Sequence, residues 1–592
     1  MIAPELPLLL AASALASAAA LRFVPGAETA WRTVLALVIA TCGALTPLLF
    51  YPLIDPARAG GRGLWDWSAV GGPTVQAAYR FDGIAAVAVA VGTAYAAAAL
   101  LGIGRLARRP PVLPSLVLAI GLTFIAVVVA DDLIAATVAL GVLAVLTVLA
   151  LLIVAPPPAT ARVAAYFALG IQAFVISALL VSRFGGASYR FVDIIPGAIS
   201  PGVIAAASAG AALFAGLYPF VPWRFSRPAA RPSEGEALRG LVAMPAGIGA
   251  TLVLLRLLGA TRIDITEIGV PRVPLEPRLV VAAAVAAIAL GLLLHSRPVP
   301  LRQLLVAGAL LVGIVIYPLL HWSHLVLIAA ILTTVYAATV SLGLPDEWDV
   351  VRYDVALAAL WVGLALGTPV ALAAALALLA GDAVGALAES LWMPPHRAYI
   401  VLVASSTIVM GGILGIAIGA LSAPDLPAKA LALAALLLIL ALELVHIGRR
   451  LGLALVPAEL DMASVTAAFL GAILLAILMA SPLVEGVAIS LGRPFGSLAA
   501  APLAVTAVAV FATLLVVMAR AAQPFLPDLE RFVGRVRGLA LLFDPVPAGI
   551  ATFRLLEVTA VRASAAFNLF ERRAGAWLAT LLILAVLVWS VR

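Results

Sequence analysis

The chain has 592 residues, of which 64% are hydrophobic and only 11% charged, with a formal net charge of +7 and a mean hydropathy of +1.18. A soluble domain carries about 25% charged residues, so this composition excludes a soluble enzyme and leaves the bilayer as the solvent. The positive charge comes from Arg in short loops, a pattern of membrane orientation rather than of nucleic-acid binding.

Crossing about 30 Å of hydrocarbon takes about 20 helical residues, and apolar runs of that length recur roughly seventeen times. They predict spans at 4–22, 32–50, 83–104, 112–130, 133–154, 161–182, 198–220, 238–258, 278–295, 301–320, 323–343, 355–380, 398–421, 428–447, 463–482, 501–519 and 575–591. In lipid each backbone polar group must be satisfied within its own segment, so spans this apolar are helices and not barrel strands. The expected fold is therefore an all-α integral membrane bundle of roughly 16–17 helices. The first span follows Glu5 with no basic cluster and no cleavage pattern behind it, so it reads as a retained helix. Arg105, Arg108, Arg109, Arg162, Arg224, Arg227, Arg231 and Arg239 fall on one side and Asp131 and Asp132 opposite, which predicts an external N-terminus. Residues 1–520 form the expected bundle and 575–592 its last helix. Between them, 521–574 mixes charged and apolar residues, and Phe553 to Phe570 separates them at helical spacing, as in an interfacial helix or a loop with a short helix.

Three stretches in the first half carry a family likeness. Tyr79-Arg80-Phe81-Asp82-Gly83-Ile84 opens the third helix, Val129-Ala130-Asp131-Asp132-Leu133-Ile134 joins the fourth to the fifth, and the two lie about fifty residues apart. Tyr218-Pro219-Phe220-Val221-Pro222-Trp223 then leads into a Pro-interrupted loop, an Ala246-Gly247 turn and Leu254-Leu255-Arg256. In order and spacing, over about residues 60 to 260, this resembles the antiporter-like subunits of complex I, membrane-bound hydrogenases and multisubunit cation/proton antiporters. The resemblance puts Asp82, Asp131, Asp132, Pro219 and Trp223 at family-motif positions.

The same resemblance implies a Glu in the fifth helix, a Lys in the broken seventh, a His in the eighth and further His and Lys in the eleventh and twelfth. This chain departs from that set. Leu140 and Gly141 stand at the Trp-Glu pair, Phe214 at the buried Lys, and Arg239 where the His is expected. Arg does not release its proton at usable pH and is no equivalent relay. Lys429 is the one lysine among 592 residues. The second half allows two registers, one with the ninth-to-tenth junction at His295 to Leu310 and one at Asp346 to Asp354, and neither restores a buried Lys. Loss of the Lys–Glu pair predicts loss of transport through a half-channel of the usual kind.

Ionisable residues in or beside apolar helices are the remaining candidates for an ion pathway. Asp382 and Glu389 lie two turns apart on one helical face and line a polar seam, unless the helix ends near Gly381 and leaves both at the interface. Glu443 and His446 also share a face, either to pass a proton or as an ion pair at a solvated helix end. Asp131 and Asp132 read as an interfacial loop, and Asp82 as a helix cap. One cysteine, Cys42, excludes an internal disulfide and a Cys-based metal site. No Gly-rich dinucleotide signature or cysteine cluster is present, so no cofactor is expected on this chain, and no catalytic or metal-binding residue.

The leading expectation is a membrane-arm subunit, in a prokaryotic cytoplasmic membrane, that partners other membrane subunits. Its role is structural, or it translocates H⁺ or Na⁺ by an altered polar route. The alternatives are a lipid-linked glycosyltransferase, with Asp55 and Asp66 in its outer loop, and a free-standing secondary transporter.

Overall fold

A computed structural model describes residues 5–21, 38–39, 41–43, 45–47, 62–68, 74–103, 106, 111–155, 157–184, 188–194, 196–218, 220, 235–260, 268–269, 320–343, 348–390, 395–423, 425–453, 511 and 514–515. The chain divides into two compact units, Met1–Val273 with Tyr317–Arg537, and Pro274–Ile316 with Gly538–Arg592. All described residues belong to the first. The spans expected at 278–295, 301–320, 463–482 and 575–591 and the segment 521–574 lie outside the described residues, as do Pro219 and Trp223.

Twelve helices of more than two turns are described: α1 (Glu5–Ala20), α2 (Gly83–Gly102), α3 (Val112–Val129), α4 (Leu133–Val154), α5 (Pro157–Arg183), α6 (Pro201–Ala215), α7 (Gly235–Ala260), α8 (Trp322–Gly343), α9 (Trp348–Leu366), α10 (Pro369–Ser390), α11 (Pro395–Leu421) and α12 (Leu426–Leu453). Eight of these contain segments long and apolar enough to cross a membrane. On α4, Val138, Val142, Val145, Leu149 and Leu152 recur at helical spacing and remain exposed. A helix apolar on its outward face as well as its inward one is a lipid-facing span, so the protein is integral and multi-pass.

Local chemistry sets the helix ends. Asp82 caps α2 by accepting from the Ala85 N–H at 2.9 Å, and Asp132 caps α4 through the Ile134 and Ala135 N–H groups at 2.8 and 3.0 Å. Ser200 and Pro201 start α6, and Gly216, at φ 66°, stops it after only 15 residues. An L side chain at that φ costs about 1–2 kcal/mol, hence glycine. The expected span at 198–220 is therefore a shorter helix ending in a turn.

Two expectations fail in instructive ways. The single span at 355–380 is two helices, α9 and α10. Gly367 takes φ 60°, Thr368 Oγ1 accepts from the Ala371 N–H at 3.3 Å, and Pro369 occupies a first-turn position that needs no N–H donor. Apolar residues run straight through this break, so hydropathy alone does not register it. The turn expected at Ala246-Gly247 is also absent, because α7 continues through it with Pro245 inside the helix.

α2 is buried along its whole length, packed by α1, α3, α7 and α10. α7 bridges α2, α3, α4, α6 and α9, and α9 in turn meets α8, α10, α11 and α12. Small residues allow the helices to approach closely. A Cβ added at Gly412 of α11 would lie 2.6 Å from the Leu378 Cβ of α10, and one at Gly419 would lie 2.6 Å from the Ala371 Cβ.

One end of the bundle carries a departure from all-helix structure. Strands β1 (Arg62–Ser68) and β2 (Thr74–Tyr79) pair antiparallel, with an irregularity between Gly63 and Trp65. The α3–α4 link threads between this hairpin and the loop after α5. Asp131 N–H donates to Ala78 O at 2.9 Å, Arg80 N–H to Val129 O at 2.7 Å and Leu133 N–H to Tyr189 O at 2.9 Å.

A candidate ion pathway

The hairpin end gathers charge. Arg256, from the last turns of α7, places its fork on Asp82 at 3.3 and 3.4 Å and donates to Val128 O at 2.9 Å. Arg80 Nε reaches the same carboxylate at 3.2 Å. Arg190 donates to Asp131 at 3.2 Å and pairs with Asp193 at 3.3 Å. Asp131 and Asp132 are loop residues as expected, but both are fully buried. Burial pushes the Asp131 carboxyl above its ordinary range, against the opposing pull of Arg256, Arg80 and Arg190. Burial raises Asp132 too, opposed by its hydrogen bonds from the backbone of Gln76, Ala135 and Ile134. This cluster ties α2, α3, α4, α7 and two loops together, with Arg80 and Arg256 on Asp82 and Arg190 shared by Asp131 and Asp193.

The second cluster lies toward the opposite end, where α9 begins and α10 and α12 finish. α10 continues past Gly381 to Ser390, so Asp382 and Glu389 are both inside the helix. They are partly buried and share one guanidinium. Arg352 of α9, 2% exposed, bonds Glu389 through Nη1 and lies 3.6 Å from Asp382 through Nη2. The Tyr95 hydroxyl of α2 donates to the other Asp382 oxygen at 2.7 Å. Arg352 also stands over the Tyr353 ring, 4.7 Å from its centroid, and Tyr353 meets Tyr95 edge to face at 6.2 Å. Glu443 of α12 lies within electrostatic reach of Asp382, Arg352 and Glu389. His446 is buried one turn further along the same helix.

Side chains from three helices, Tyr95, Asp382, Arg352 and Glu389, thus form a connected polar strip, with Glu443 of a fourth helix within electrostatic reach of it. With both of its carboxylates ionised, the Arg352 trio carries one negative charge in excess, which a proton or a monovalent cation would neutralise. Arg239 is buried at the same end, on α7. Its neighbour Gly240 is pressed so closely to the Tyr353 ring that a Cβ there would lie 2.0 Å from it.

Two of the positions compared in the sequence, Leu140 and Phe214, are apolar core. Phe214 stacks on Phe167 with ring centroids 4.6 Å apart, and Leu140 is fully buried. Sequence reasoning did not single out Tyr95 or Arg352. The signal for Arg352 was an ionisable residue within an apolar helix, lost because the span was started at 355 and not at Trp348. A further pair joins the starts of α8 and α12, where His324 Nε2 meets Asp425 at 2.5 Å. Among the described residues, no three His, Cys, Asp or Glu side chains come together as a metal site.

No protein-family model and no curated protein matches the sequence. Solved structures do. A chain of the Mrp complex from Dietzia sp. DQ12-45-1b aligns with 100% of this chain at a TM-score of 0.56 and 16% identity, and this chain spans 63% of its length. A chain of respiratory complex I from Thermus thermophilus, solved with bound NADH, aligns with 87% of this chain and 99% of its own length, at 0.50 and 16%. A chain of the membrane-bound sulfane sulfur reductase, an archaeal respiratory membrane complex, gives 80% and 76% coverage at 0.50 and 13%. At these identities the likeness is one of fold, and this protein has the fold shared by chains of those three complexes.

Proposed function

We propose that this chain is a membrane-arm subunit of a multisubunit energy-converting complex in a prokaryotic cytoplasmic membrane, and that H⁺ or Na⁺ moves along the polar strip. The observation that carries the ion-transfer part is the Tyr95–Asp382–Arg352–Glu389 arrangement. Charged groups within apolar helices are costly unless they are partnered or hydrated, and they persist where ions or protons pass. Here a carboxylate hydrogen-bonded by Tyr95, a guanidinium and a second carboxylate follow one another across two helices, with Glu443 within electrostatic reach. Arg352 holds the carboxylates in position and does not itself exchange a proton. The exchanging groups are Asp382, Glu389 and Glu443.

The assembly part is supported by the shared fold. The Mrp complex, complex I and the sulfane sulfur reductase are named as complexes, and two of them as respiratory. In this reading, redox cofactors belong to partner subunits. Purification of the tagged chain in mild detergent tests it, with other membrane subunits expected at near-equal amounts. Flux measured in liposomes with the purified assembly, under a proton gradient or a Na⁺ gradient, identifies the ion. Recovery of the chain alone would contradict the assembly.

A further inference from the structure

On α9, two residues from Arg352 and so about 200° around the helix, Asp354 turns away from the strip toward α5, α6 and α7. It is 3% exposed. Its Oδ2 is buried and has no hydrogen-bond partner among the described residues. It lines a cavity beneath the Gly216 turn that ends α6, together with Tyr166, Phe214, Gly240, Met244 and Tyr353. The space open to a water centre is about 20 Å³, room for one water molecule. The hydroxyl-bearing residues beside Asp354 in the cavity are Tyr166 of α5 and Tyr353 of its own helix. α6 and α7 contribute no titratable lining residue; the charged groups nearest the cavity in sequence are Arg162 of α5, which acts on Tyr166, and Arg239 of α7, next to the lining Gly240.

A buried carboxylate without a counter-charge is costly, so such a group must be neutralised or matched by a cation. Among the described residues the cavity has a single carboxyl and too few side-chain oxygen ligands to replace the hydration shell of a metal ion. We propose that Asp354 is a proton-binding site, loaded by way of water in the cavity under the α6 turn. The carboxylate takes up a proton relayed through that water, which receives one from the aqueous side as it passes one on and so stays neutral, and the proton returns by the same route. The proton site and Arg352 then occupy opposite faces of one helix. This inference goes beyond ion transfer along the strip and does not depend on it.

The test is infrared pH-difference spectroscopy of the full chain in lipid. The protonated-carboxyl C=O band should titrate, shift in D₂O and vanish in Asp354→Asn, with helical content unchanged by circular dichroism. Ala243→Phe, which fills the cavity from α7, should slow deuterium exchange of that band several-fold. If Asp354→Asn fails to fold, Asp354→Glu decides, because a band moved in frequency assigns it to this position and an unmoved band overturns the proposal. A band that persists in Asp354→Asn also overturns it, as does one that responds to Na⁺ and not to pH. Because the readout is protonation and not flux, failure of ion transfer along the strip would leave this result intact.

Discussion

Asp82 and Arg256 form one ion pair, yet removing either partner should carry a different cost. In Asp82→Asn the cap on α2 survives, since Asn caps as well as Asp, but Arg256 is left buried with the Val128 carbonyl and the more distant field of Asp131. Its side chain is only 4% exposed, so an uncompensated cation there costs about 3–5 kcal/mol. In Arg256→Met, Asp82 keeps Arg80 at 3.2 Å and the Ala85 N–H at 2.9 Å. The two long bonds to Asp82 go, but that carboxylate stays partnered, and the group left without its side-chain donor is the Val128 carbonyl, about 1–3 kcal/mol, while Met retains much of the packing. The double variant should resemble Arg256→Met, giving a coupling energy equal in size to the Asp82→Asn cost, about 3–5 kcal/mol. Equilibrium unfolding of the four proteins in one mixed-micelle system measures all three values. Arg256→Met at least as destabilising as Asp82→Asn would refute the assignment of Arg80 as the second partner.

Gly412→Val would drive a branched side chain into α10 where a single Cβ already comes within 2.6 Å of Leu378 and 2.9 Å of Ala374 O. A loss of at least about 1–3 kcal/mol is expected, and an unchanged unfolding midpoint would show that α10 and α11 are not so close. Stability should also depend on pH through Asp131. Its raised value means that the folded state keeps the proton to higher pH than the unfolded chain. The stabilisation from this group is then complete below about pH 4 and is lost as pH rises through the folded value. Asp131→Asn should flatten that part of the pH profile, and an equally steep decline in the variant would assign it to other groups.

The helix boundaries that hydropathy recovers well are those with a polar residue at the junction. Asp132 closes α4 at its start, and the span expected at 133–154 matches the helix Leu133–Val154. The α9–α10 break failed for the opposite reason, since Gly367, Thr368 and Pro369 interrupt the backbone without interrupting the apolar run. The resemblance, in the register with its junction at Asp346 to Asp354, did put a turn at Gly367-Thr368-Pro369, and starting the span at 355 instead of Trp348 left Arg352 and Asp354 outside it. Asp382 and Glu389 were legible from spacing, but their shared partner was not. Arg352 and Tyr95 are 257 residues apart in sequence and meet only through the packing of α2, α9 and α10. The apolar substitutions at Leu140 and Phe214 were also legible. Phe214 lines the cavity that Asp354 enters from another helix, so an ionisable group reaches that place from a direction which counting along the seventh span does not reveal.

Ion transfer along the polar strip is tested most directly by flux through the purified assembly in liposomes, compared between the native chain and Asp382→Asn. The substitution keeps a hydrogen-bond acceptor for Tyr95 and removes the exchanging carboxylate. Gradient-driven H⁺ or Na⁺ flux that falls to the level of empty liposomes, in an assembly that keeps its subunits, is the predicted result. Undiminished flux in Asp382→Asn, or no flux in the native assembly, would contradict the account and leave the chain a structural subunit.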